Sequence, residues 1–170
     1  LPNGNFLVMG WELITKAEAE SQGRQTVSNQ GLWSEKIMEI KPTGPLSFDT
    51  VWVWRVWDHL IQNIDPDKPN FGTINDHPER VNVNFTNKSS GTVKDWLHAN
   101  SIDYNEQLDQ IMLNIRNFAE FWIIDHSTTT EEAKGSTGGN SGKGGDILYR
   151  WGNAKSYNPQ DTTEQLFFGQ

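Results

Sequence analysis

The chemistry-bearing residues of this 170-residue sequence crowd into "DWLHANSIDYN", residues 95–105. Read as a strand with period-two alternation, the stretch places Trp96, His98, Asn100, Ile102 and Tyr104 on one face and Leu97, Ala99, Ser101 and Asp103 on the other. His98 and Asn100 then point the same way. An imidazole and an amide on one face can donate to an oxyanion, and the imidazole can instead serve as base or nucleophile. A core histidine satisfied by Asn100 or by a neighbouring carbonyl also explains the pair, without any chemistry.

Arg150, in "LYRWGN", stands between Tyr149 and Trp151. A guanidinium held between aromatic rings is preorganised to grip sulfate, phosphate or carboxylate bidentately, and it is also a common structural device. Arg55 in "VWRVW" occupies the corresponding place earlier in the chain, which favours the structural role for at least one of the two. His59 in "VWDHL" and His126 in "IIDHS" each follow an aspartate at a strand end, an arrangement that makes a turn or orients an imidazole. His77, before Pro78, belongs to a polar loop and is expected to be solvated.

No two histidines have the i, i+4 spacing of a helical zinc site, and no cysteine is present, so nothing calls for a metal or another cofactor. The glycine run "GSTGGNSGKGGD" fails the phosphate-loop pattern, because Gly144 follows Lys143 and Thr137 stands where a glycine is required; it reads as a flexible connection. Sequons occur at Asn84 and Asn87. With 14 basic and 22 acidic residues the net charge is -8, and no Lys/Arg run opposes it, which argues against a nucleic-acid partner. No stretch of about 18 apolar residues suggests a membrane span.

The elements that must position these groups are strands. The 8 tryptophans fall in β-type runs, which predicts an all-β fold. A first set runs through "FLVM", a helical turn at "KAEAE", "KIMEI" and "VWVWRVWDH"; a second runs through "WLHANSIDY", "DQIMLNIRNF", "EFWIIDHS" and "DILYRWGN". The sets match in kind and order, and the first lacks only an opening strand. Such a repeat suggests about two four-stranded antiparallel blades of a β-propeller. Residues 1–60 form the blade lacking its first strand, 61–94 a polar insertion, 95–153 the second blade, and 154–170 the start of the next. A β-sandwich of about seven strands is the alternative. In the blade reading, the face carrying His98 and Asn100 lines the central channel.

Taken together, "VWDHL", "DWLHANSIDYN", "LDQIMLNIRNFAEFWIIDHSTTTEEA" and "GGNSGKGGDILYRWGN" resemble the bacterial aryl-sulfate sulfotransferase family, the type independent of the nucleotide sulfate donor. The resemblance runs from about Leu1 to Gln170 and covers the middle of a typical member, so the chain reads as an internal fragment, inactive alone. It implies a six-bladed propeller, exported to the periplasm or secreted, that moves a sulfuryl group from a phenolic sulfate ester to a phenol through a histidine-centred site. His98 is the active-site histidine it carries over and Arg150 an anion ligand, while Asn100 joins them as a substrate-binding residue on the strand-alternation argument. It also implies a nucleophilic histidine beyond Gln170 and leaves a homodimer open. A propeller that binds without catalysing, and a sandwich-like carbohydrate-binding domain, are the competing functions.

Overall fold

Strands form where apolar residues alternate, and the computed structural model describes them over residues 1–86 and 94–161. Strands β1 (Phe6–Ile14), β2 (Leu32–Gly44) and β3 (Ser47–Arg55) make an antiparallel sheet in that order. Helix α1 (Lys16–Ser21) fills part of the β1–β2 connection. It is short, and its start is fixed by a capping box in which the Thr15 hydroxyl takes the Glu18 N–H while the Glu18 carboxylate takes the Thr15 N–H.

The second sheet is a four-stranded antiparallel meander of β6 (Ala99–Asn105), β7 (Gln110–Ile115), β8 (Glu120–Asp125) and β9 (Tyr149–Gly152). Between the sheets, β4 (Leu60–Ile61) and β5 (Val81–Asn82) pair in parallel. The all-β expectation holds, although the strand expected from Trp96 begins only at Ala99. Residue 87 and residues 162–170, where the second sequon and most of the expected next-blade segment fall, lie outside the described residues.

The segment after Ile61 is more than a solvated insertion. Gln62 is fully buried and acts as a hub, its Oε1 accepting the N–H groups of Ile64 and Asp65 and its Nε2 donating to Asp65 O. That lets a polar, proline-rich chain fold back and deliver Val81 and Val83, both fully buried, to the core. Period-two reasoning could not see this, because a hydrogen-bonded polar hub has no hydrophobic signature.

One apolar core joins the two sheets, including Ile37 and Trp54 from the first and Leu113, Ile115, Trp122 and Ile124 from the second. The large indoles are buried with their N–H groups paired across the seam, Trp54 Nε1 to Gly145 O at 2.7 Å and Trp52 Nε1 to Thr128 Oγ1 at 3.1 Å. Gly145 must be glycine, since a Cβ there would lie 2.0 Å from Ala133 O. Among the described residues no helix is long and apolar enough to cross a membrane.

Leu113 sits fully buried at the centre of this seam. Leu113→Ala is expected to cost about 2–5 kcal/mol of unfolding free energy in urea titration, through lost burial and the cavity left behind.

Candidate active site

The chain reaches β6 through residues 95–98, and the turn after β7 clasps that segment. Asn117 donates from its side chain to Asp95 O at 2.8 Å and from its backbone to Leu97 O at 2.9 Å, and Arg116 N donates to His98 O at 3.3 Å. From the other sheet, Trp33 N donates to Lys94 O at 2.6 Å. A short loop is thus fixed from two sides.

Within it, His98 adopts φ +52°, a left-handed conformation that costs a non-glycine residue of order 1 kcal/mol. His98 precedes β6, and a register shift between Ala99 and Ser101 makes Asn100 the extra residue of a bulge. The alternation that put His98 and Asn100 on one face therefore does not run through this stretch. Trp96 and Leu97 are both buried, and Asn100 and Ser101 are both exposed.

His98 is not a satisfied core residue. Its Nδ1 lies 2.7 Å from Asp95 Oδ2, its side chain is 34% exposed, and Nε2 has no partner among the described residues. A carboxylate accepting the Nδ1 proton fixes the ring and leaves the Nε2 lone pair facing outward. Trp11 packs beside it with ring centroids 6.2 Å apart, and itself stacks on Trp33 at 5.0 Å and 11°. Arg116, next to His98 through the backbone, is half-buried with a guanidinium that makes no hydrogen bond or ion pair among the described residues. Sequence reading passed over Arg116 because "NIRNF" carries no motif; the clasp brings its backbone beside His98.

Behind the imidazole lies Glu35, 1% exposed. Its Oε1 accepts the Ala99 N–H at 2.9 Å and the Trp11 indole N–H at 3.3 Å, and its Oε2 is buried without a partner. Burial, reinforced by the nearby Asp95 charge and only partly offset by the two N–H donors, pushes this carboxyl up to about 7.

Arg150 is a correction. Its flanking rings do not hold it; Trp122 and Tyr157 do, at 5.4 and 4.4 Å. All its donors are spent inside the protein, Nε on Glu120 Oε2 at 2.8 Å, Nη1 on the carbonyls of Pro78 and Arg80, and Nη2 on Ser156 Oγ and Glu120. With its side chain 4% exposed and its charge matched, it has nothing left for an anion. Burial pushes the Glu120 carboxyl above its ordinary value even with Arg150, Ser156 and Trp122 donating to it. Arg55 is paired differently, bidentate on Glu12 through Nε and Nη2 with its side chain 39% exposed.

The remaining histidines are also placed. His59 is fully buried, its ring stacked on Trp54, with Nδ1 on Asp146 rather than on the preceding Asp58 and Nε2 on Ala133 O. His126 spans Asp109 at 2.7 Å and Glu39 at 3.1 Å, tying β2 to the second sheet. His77 is exposed, as its loop predicts, and pairs with Glu79. Asn84 is tied down, donating to Gly23 O and accepting from Gln25 N. Among the described residues no three side chains converge as metal ligands.

A family model described as Arylsulfotransferase (ASST) matches residues 1–132. That stretch includes Glu35, Asp95, His98, Asn100 and Arg116, and leaves Arg150 outside. No curated protein and no solved structure matches the chain.

Arg150→Met leaves Glu120 buried without its counterion, and is expected to lower stability by about 3–5 kcal/mol. His98→Gly, which relieves a left-handed backbone, should leave stability unchanged within about 1 kcal/mol in the same denaturant titration. Glu35 titrates higher in the folded chain than its ordinary 4.5, so the stability it contributes is complete below pH 4.5 and lost as pH rises through about 7. Between pH 5 and 8 the wild type should lose up to roughly 3 kcal/mol relative to Glu35→Gln.

Proposed function

The chain belongs to the arylsulfotransferase family, and from that premise we propose that it carries part of the site that moves a sulfuryl group from an aryl sulfate ester to a phenol. The observation that carries the reading is the His98–Asp95 pair, a carboxylate-oriented imidazole with an open Nε2, held in a left-handed backbone conformation. Strained backbone with a polar group left unpaired is costly for stability alone and is characteristic of a working site.

In the transfer, the S–O bond of the donor ester breaks and a new S–O bond to the acceptor phenol forms. One proton leaves the acceptor hydroxyl and one reaches the departing phenolate. His98 Nε2 takes and returns that proton, while Asp95 steadies the imidazolium that exists in between. The sulfuryl group passes through a loose state with charge spread on its oxygens, which positioned donors stabilise better than covalent machinery does. Arg116 supplies a cation for those oxygens and Asn100, exposed at the bulge, a neutral donor.

The two sheets are two neighbouring blades of a propeller, a reading supported by matched strand order and by their shared apolar seam. Export to the periplasm completes the proposal, together with a second, nucleophilic histidine elsewhere in the parent protein whose nitrogen forms an N–S bond as the donor S–O bond breaks and gives it up as the acceptor oxygen bonds to sulfur.

In the protein carrying this chain, 4-nitrophenol release from 4-nitrophenyl sulfate in the presence of phenol should fall by at least about 100-fold in His98→Ala, with unchanged circular dichroism. Asp95→Asn should fall by about 10-fold or more through kcat rather than KM. Wild-type turnover in His98→Ala would contradict the role assigned to that imidazole, and saturable binding of the ester without turnover in the wild type would identify a binding module instead.

A further inference from the structure

We propose that Glu35 is a positioning residue of the His98 site, a single buried carboxyl group that locks the His98 backbone and the Trp11 ring into one geometry so that an aryl group resting on Trp11 meets His98 Nε2. This rests on the transferase reading for the identity of the aryl group, and on the hydrogen bonds of Glu35 for the rest.

Glu35 Oε1 accepts from Ala99, the residue that follows His98, and from the indole N–H of Trp11, the ring packed beside the imidazole. One oxygen thereby ties β1, β2 and the start of β6 together. The same stretch of β2 also holds the Asp95 side of the site, since Trp33 bridges Asp95 and donates to Lys94 O. Trp11 is 50% exposed, with one face on Trp33, so indole surface next to the imidazole remains open to a flat apolar partner. An aryl ring stacks on such a surface with the offset geometry aromatic pairs prefer.

The carboxyl works in its neutral form. Oε2 is buried and unpaired, a poor place for a carboxylate oxygen and an acceptable one for a carboxylic acid. The groups facing Glu35 are Trp11 from β1 and Ala99 from β6, both neutral N–H donors, and the carboxylate of Asp95 from the loop, with His98 beyond it. Ionisation of Glu35 would add a second negative charge behind His98 and oppose an anionic sulfate ester. Since burial sets this carboxyl at about 7, the neutral form prevails below neutrality and is lost above it.

The test has two readouts. By NMR, the resonances of the Ala99 amide and Trp11 indole N–H groups, which donate to Glu35, should shift with pH near 7 in the wild type and lose that shift in Glu35→Gln. In turnover of 4-nitrophenyl sulfate, kcat/KM should decline above pH 7 in the wild type and lose that decline in Glu35→Gln. Glu35→Leu, which removes the acceptor but keeps the bulk, should lose at least about 10-fold in kcat/KM. Ala99 and Trp11 N–H resonances that Glu35→Gln leaves unchanged overturn the inference whatever the activity. Loss of the pH-dependent N–H shifts in Glu35→Gln, in a protein that never turns over the ester, would leave the positioning role standing and sink the transferase reading.

Discussion

The seam between the two sheets is the constraint on which the rest of this structure depends. Strand β2 sends Glu35, Ile37 and Glu39 to one buried face, two carboxylates flanking an isoleucine. Ile37 packs into the shared core, while the two carboxylates reach across to the second sheet, Glu35 to the backbone beyond His98 and Glu39 to His126. Glu39 shows the same logic in a milder form. Its burial is more than offset by donors from Asn5, Asn3 and His126, and its carboxyl is held below the ordinary range. Burying two acids on one strand face is expensive, and it persists because each finds N–H donors from other strands or a neighbouring loop.

That arrangement explains how a strained histidine survives. The left-handed backbone at His98 is over-determined by contacts from the β7–β8 turn, by Trp33 on β2 and by the Glu35 carboxyl. The strain is small beside the burial of the seam. The buried Glu120–Arg150 pair plays a different part. It anchors the end of β9 to the segment containing Pro78 and Arg80, and its electrostatics are closed to the outside.

The strands were legible in the sequence because half-buried sheets write a two-residue period, and the matched order of "FLVM", "KIMEI" and "VWVWRVW" with "IMLNI", "FWIID" and "ILYRW" made both sheets readable. What alternation could not show was its own interruption. A bulge and one left-handed residue in "LHANS" leave no compositional trace, so His98 and Asn100 looked like neighbours on one face. Arg150 misled for a related reason. Its sequence neighbours are aromatic, but the residues that occupy its donors, Glu120 and Ser156, come from β8 and the turn after β9. The partners of His59, His126 and Glu35 are also distant in sequence, and the candidate site became visible only when those long-range pairings were in place. The family resemblance pointed to His98, and the structure adds a contact from Asp95 that orients its ring.

The central claim is that His98 presents an open Nε2 to an aryl sulfate while Asp95 holds Nδ1. Nitrogen-15 NMR of the imidazole during titration with 4-nitrophenyl sulfate reads both atoms at once. The account predicts a saturable shift at His98 Nε2 with Nδ1 remaining bound to the carboxylate. A ring whose two nitrogens ignore the ester at saturating concentration would contradict it.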